Sequence, residues 1–226
     1  MPHKHVSIEP ESGCALSDTP EYAESPELIP DADPAGQAGE LRASGRLARA
    51  RWSPSPNFGP RPEGADISLL VIHCISLPPG DYTGDCIEQF FLNCLDHSRH
   101  PYFREIEGMT VSAHCLIRRD GELIQFVNFR DRAWHAGRSS FCGQEECNDY
   151  SIGVELEGTE DEPYTEAQYR QLARLTGELM TAWPEITPDR ITGHSDIAPG
   201  RKTDPGPAFD WARYRSLVPW PNEEER

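Results

Sequence analysis

Positive charge is what this sequence has least of. Its 226 residues carry 21 Lys and Arg against 38 Asp and Glu, a formal net charge of −17. Nucleic acid and anionic membrane surfaces both require a basic face, so neither is an expected partner. Long apolar runs are also missing. None approaches the roughly 20 residues of a membrane span, and a soluble protein is expected. The opening "MPHKHVSIEPESG" has no apolar signal core and soon turns acidic, which points to the cytoplasm. Seven cysteines (Cys14, Cys74, Cys86, Cys94, Cys115, Cys142 and Cys147) form no CxxC pair. Most sit in apolar patterns, as reduced core residues do, rather than in a disulfide frame. No internal repeat is present.

What is there divides in two. Residues 1–48 hold six prolines and nine acids against three bases, with no tryptophan and no sustained apolar period. Such a composition buries too little apolar surface to offset chain entropy, so an acidic, disordered or loosely attached arm is expected. At its end "LRASGRLARAR" could form a short basic helix. Residues 49–226 are expected to form the folded domain.

In that domain "DISLLVIHCIS", Asp66 to Ser76, is a near-continuous aliphatic run, the pattern of a strand buried on both faces. "CIEQFFLNCL" spaces Ile87, Phe90, Phe91 and Cys94 as an amphipathic helix. "VSAHCLIRRDGELIQFV" reads as a hairpin closed by Asp-Gly, and "YSIGVELEG" as a second buried strand. Thr165 and Gln168 form a capping box, and Tyr169, Leu172, Ala173, Thr176, Leu179, Met180 and Trp183 share the face of the helix that follows. "RITGHSDIAP" reads as a short strand entering a loop, and "DWARYRSLV" as a last helix. Strands alternating with helices predict an α/β single domain whose central mixed sheet is covered by helices.

Eight histidines narrow to four. His3 and His5 lie in the arm, a poor scaffold for chemistry, and His97 and His100 sit where capping or packing is expected. His73 interrupts an apolar strand just before Pro78-Pro79, and His194 stands where a strand meets an irregular loop. Functional groups of open α/β sheets collect at such places. Two histidines and a carboxylate make a tripod suited to Zn²⁺ with a fourth position left for water. Two structural histidines with satisfied bonds would leave the same trace. Asp196 and Asp204 compete for the carboxylate place; Asp196, two residues from His194, better suits capping the loop or orienting the ring. Glu155 and Glu157 alternate with aliphatics in one strand, and a buried carboxylate beside a metal suits a general base. Glu157 suits a salt bridge better. Lys202 stands two residues before Asp204, where an ammonium could hold an oxyanion, although a lysine in a charged loop is most often only solvated.

The blocks "SLLVIHCISLPPG", "HPYF", "VSAHCLIRRDG", "RAWHAG", "CNDYSIGVELEGT", "YTEAQY" and "GHSDIAPGRKTDPGPAFDW" together resemble the AmpD-type 1,6-anhydro-N-acetylmuramyl-L-alanine amidases, from Trp52 to Trp211 in one order. The resemblance implies the type 2 amidase fold, shared with phage amidases and peptidoglycan recognition proteins. It implies a monomeric, cytoplasmic zinc hydrolase of cell-wall recycling, with the metal in a cleft at strand ends. Its substrates would be anhydro-muropeptides, cut between the lactyl group of anhydro-muramic acid and L-alanine. In bacteria with inducible β-lactamase, that reaction clears the inducing signal. Carried over by motif, His73, His194 and Asp204 match the metal ligands, Glu155 the general base and Lys202 the transition-state cation. Ala113 stands where phage-type relatives carry a tyrosine, and His114 and His135 match framework or cleft-lining positions. Cys74 and Ser195 depart from the asparagine and cysteine common beside the two ligand histidines. A recognition module that binds muropeptide without cutting it is the alternative of another class; such relatives commonly lack a complete ligand set. A cysteine hydrolase built on Cys115 and His114 is a third reading, disfavoured because strand neighbours face opposite ways.

Overall fold

The computed structural model describes residues 34–220. Among them, one six-stranded sheet is built from Arg51–Trp52 (β1), Leu69–Ile75 (β2), Cys115–Ile117 (β3), Leu123–Gln125 (β4), Ser151–Glu157 (β5) and Ile191–Gly193 (β6). Their order across the sheet is β1-β4-β3-β5-β2-β6. Only the β3–β4 hairpin is antiparallel; the other neighbours run parallel, giving the mixed sheet that the sequence predicts. β2 and β5 are the long central strands, and their register sets His73 opposite Glu155.

Side chains alternate between the two faces of a strand. Leu70 and Ile72 of β2, with Ile152, Val154 and Leu156 of β5, pack against Tyr169, Leu172 and Leu179 of the long helix Glu166–Ala182 (α4). Helices Pro34–Ser44 (α1) and Trp211–Leu217 (α6) flank α4 on that side. Beyond the opposite face, Leu116 and Ile124 meet Ile87, Phe90 and Phe91 of Cys86–Phe91 (α2) and Phe103 of Pro101–Glu105 (α3). On this second face β2 contributes Leu69, Val71 and then His73, while β5 contributes Ser151, Gly153, Glu155 and Glu157.

α4 starts as its sequence dictates. Thr165 Oγ1 accepts from the Gln168 amide at 3.1 Å, and Gln168 Oε1 accepts from the Thr165 amide at 3.1 Å. Thr165→Ala is expected to lower stability by about 1 kcal/mol, read as a fall of about 2–4 °C in the thermal midpoint.

Three elements differ from the sequence reading. α2 stops at Phe91 rather than running through Cys94, because Asn93 takes a left-handed backbone (φ 60°). α1 begins at Pro34, inside the stretch grouped with the arm, and places Ala38 and Leu41 in the α4-side core. Of "LRASGRLARAR", only the first four residues are helical. Gly45 ends the helix at φ 69°, and a Cβ there would overlap the Asn128 side chain at 1.8 Å. Residues 1–33 lie outside the described residues. Cys74, Cys86, Cys115, Cys142 and Cys147 are free thiols, of which Cys142 is exposed rather than in a core. No helix among the described residues is long and apolar enough to cross a membrane.

Candidate metal centre and active-site cleft

β2 and β6 lie side by side and parallel, so His73 and His194 emerge at the same end of the sheet. His194 directly follows β6 and opens the one-turn helix His194–Ile197 (α5). Asp204 returns to it through its main-chain oxygen, which accepts from the Ser195 amide at 2.9 Å. The result is a tight cluster. His73 Nδ1 lies 3.0 Å from His194 Nδ1 and 3.0 Å from Asp204 Oδ2, and His194 Nδ1 lies 3.1 Å from the same oxygen. All three side chains offer a ligand atom within 4.8 Å of the others. Two imidazole nitrogens and one carboxylate oxygen are the donor set of open, catalytic zinc sites, so the group could hold such a metal.

Asp196 is not part of the cluster. Its carboxylate accepts from Thr192 Oγ1 at 2.7 Å and from the Gly193 amide at 2.9 Å, closing the turn from strand to helix. The alternative role of orienting His194 falls instead to the Ala136 carbonyl, 3.1 Å from His194 Nε2.

Burial lowers His73 to about 4, against the opposing hydrogen bond to Asp204. The ring is therefore neutral near pH 7, the form that ligates metals. Burial works to raise Asp204, but the bonds from His194 and His73 outweigh it and hold the carboxyl far below its ordinary range. Glu155 goes the other way. Burial first, then the charge of Asp204, push its carboxyl well above the usual value, with Lys202 opposing. Its Oε2 is buried with no hydrogen-bond partner among the described residues. A carboxyl so placed, beside a group of side chains that could hold a metal and in a cleft, is suited to moving protons.

These groups share one cleft of about 440 Å³. Its lining includes His73, Glu155, His194, Asp204 and the exposed Lys202, together with Phe90, Tyr102, Ile106, Met109 and Val111. A separate cavity of about 560 Å³, lined by Arg42, Arg61, Arg130 and Trp183 among others, contains none of the site residues.

The remaining candidates have structural occupations. Glu157 is 3 % exposed and accepts from the Arg119 amide at 3.0 Å and from Arg118 at 3.4 Å. His114 Nδ1 accepts from the Gly153 amide at 3.0 Å, and Nε2 lies 3.1 Å from the Asp131 carbonyl. Cys115 belongs to the α4-side core, where burial pushes its thiol up, so the Cys115–His114 reading has no geometric basis. Cys74 packs against that same core, and Ala113 is fully buried among the α2-side residues. His100 caps α3, accepting from the Tyr102 amide at 3.2 Å, and His97 Nδ1 meets the Phe103 carbonyl at 2.7 Å. His3 and His5 lie outside the described residues.

His135 lines the cleft, in keeping with the position the resemblance implies, but its contact with His73 is not legible in the sequence. Its Nδ1 lies 2.9 Å from His73 Nε2. The one trace in the sequence is Gly153, a glycine inside a buried strand, which often marks close approach of another group. A Cβ there would stand 2.5 Å from the His135 ring.

A two-histidine, one-carboxylate cluster with a second buried carboxyl beside it is the arrangement used for metal-assisted hydrolysis. The N-acetylmuramoyl-L-alanine amidase family model (Amidase_2) matches residues 63–207, and the chain belongs to that family. It is 57% identical over 178 residues to the 1,6-anhydro-N-acetylmuramyl-L-alanine amidase AmpD of Citrobacter freundii, covering 79% of this chain and 95% of the relative. The crystal structure of a selenomethionine AmpD derivative superposes with a TM-score of 0.76 at 57% identity, over 77% of this chain and 97% of that one. AmpDh3 of Pseudomonas aeruginosa, solved in complex with an anhydromuramic pentapeptide, gives a TM-score of 0.51 at 27% identity, over 72% and 65% of the two chains.

Proposed function

We propose that this protein is a zinc-dependent amidase that hydrolyses the bond between the lactyl group of 1,6-anhydro-N-acetylmuramic acid and L-alanine of the stem peptide. The observation that carries the reading is the convergence of His73, His194 and Asp204 beside Glu155, within one cleft of a chain 57% identical to AmpD. His73, His194 and Asp204 would hold the metal. When bound, zinc supplies a water acidified to a pKa of roughly 7 and a Lewis acid for the carbonyl.

The protein's own groups then have defined tasks. Glu155 takes a proton from the attacking water as the water adds to the lactyl carbonyl. The same carboxyl then passes that proton to the departing alanine nitrogen. Lys202, the cation at the cleft edge, balances the negative charge that develops on the carbonyl oxygen. The buried Ala113, at the place where phage-type relatives carry a tyrosine, offers no titratable group to share the work of Glu155.

Lys202→Met is expected to lower kcat on an anhydromuramoyl peptide by about 100- to 1,000-fold with KM changed little. A KM effect at unchanged kcat would instead make Lys202 a substrate-binding residue. The family resemblance extends the reading to cytoplasmic recycling of cell-wall fragments. Cell fractionation tests this: the activity is expected in the cytosolic fraction, and activity outside it contradicts the location.

A further inference from the structure

We propose that residues 135–136 form one clamp that orients both ligand histidines, with His135 as a positioning residue for the metal. The inference rests on the metal reading above and deepens it. It follows from where the ring protons must be.

For Nδ1 of His73 to offer its lone pair to a metal, the ring proton must sit on Nε2. That N–H then donates to His135 Nδ1, 2.9 Å away, which must be an acceptor. His135 consequently carries its proton on Nε2, which lies 3.1 Å from Ser151 Oγ and donates to it. The next residue does the same service for the other ligand. The Ala136 carbonyl, 3.1 Å from His194 Nε2, accepts that ring's proton and leaves His194 Nδ1 free to ligate. One dipeptide thus sets the tautomer of both rings.

The dipeptide is itself held. Asn148 Oδ1 accepts from the His135 amide at 3.2 Å and from the Ala136 amide at 2.8 Å. Arg201 donates to the Ala136 carbonyl at 2.6 Å and to the Arg138 carbonyl at 2.7 Å. The ring of His135 stands edge-on to that of His73, with centroids 5.0 Å apart, in the space that Gly153 leaves by lacking a Cβ. Partners of this outer kind fix ligand orientation, and losing one typically lowers metal affinity about 10- to 100-fold.

The test compares two substitutions in the full chain. Asn at 135 keeps an acceptor near the place of Nδ1, whereas Leu removes it. Zinc affinity is measured by competition with a chromogenic chelator, alongside the thermal midpoint of each metal-free protein. His135→Leu is expected to bind zinc about 10- to 100-fold more weakly, and His135→Asn within a few-fold of the unaltered chain. Equal affinity in all three, or an equal loss in both variants, overturns the proposal. Ser151→Ala, which leaves the ring in place and removes only its acceptor, is expected to weaken zinc binding by about tenfold. Unchanged affinity there counts against the relay. Zinc binding by the unaltered chain separates the two readings: none at all overturns the metal centre, and the clamp with it.

Discussion

Glu155→Gln is expected to lower kcat by about 10²- to 10⁴-fold while zinc stays bound, because it removes a proton-transfer group and spares the ligands. The same substitution should raise the stability of the metal-free protein at neutral pH. Its sign follows from the raised carboxyl. A carboxyl with a folded pKa above its unfolded value of about 4.3 favours the folded state only where both states are protonated. Above that pH the unfolded chain ionises freely while the folded one must either retain the proton or bury the charge. Glutamine removes the penalty, so the gain should be present at pH 7 and vanish below about pH 4. Thermal midpoints at the two pH values, with kcat and metal content at pH 7, check both halves. Near-normal turnover would remove Glu155 from the mechanism.

Asp204→Asn should produce the opposite stability change and a larger functional loss. Its carboxyl is held far below the ordinary range by His194 and His73 despite burial. A depressed folded pKa contributes stability that is present above the unfolded value of about 3.9 and is lost as pH falls toward the folded one. The metal-free Asp204→Asn protein should therefore be less stable than the unaltered chain at pH 7, and the difference should shrink on acidification. The substitution also removes the only anionic atom of the cluster. Zinc affinity should fall more than about 100-fold, beyond the loss typical of an outer partner, and hydrolysis should drop to background at stoichiometric zinc. Retention of tight zinc binding would show that Asp204 is not a ligand. Two carboxyls in one cleft thus shift stability in opposite directions, the one hydrogen-bonded and the other with an unpartnered buried oxygen.

Elements carried by local signals were legible in the sequence. β2 and β5 read as buried strands from their aliphatic runs, the hairpin from Asp120-Gly121, and α4 from its capping box and apolar face. Short helices were legible only in part, α6 from "DWARYRSLV" being one that was. α3 spans five residues, too few to display a period, and the apolar spacing through Cys94 masks the end of α2, where Asn93, a residue type that tolerates the left-handed region, turns the chain. α1 is hidden by composition, since Ala38 and Leu41 are the only side chains of its described residues assigned to the core. Strand order is non-local: β5 lies between β2 and β3, although β3 and β4 intervene in sequence.

The same division runs through the site. Strand periodicity places Glu155 and Glu157 on one face, but which of them is committed elsewhere depends on Arg118 and Arg119, from the β3–β4 turn. The choice between Asp196 and Asp204 depends on a loop that folds back so that only the second meets His73. His135 had no strand or helix period to betray it. Its contact with His73 is made from the loop following Ala133, and only the missing side chain of Gly153 hints at it.

The most direct test is product analysis on an anhydromuramoyl tripeptide with the zinc-loaded, chelator-treated and zinc-restored protein. Mass spectrometry should find anhydromuramic acid and a peptide with a free N-terminal L-alanine from the loaded protein, neither after chelation, and both again once zinc is returned. Hydrolysis that survives metal removal, cleavage at another bond, or none with zinc bound would contradict a zinc amidase built on His73, His194, Asp204 and Glu155.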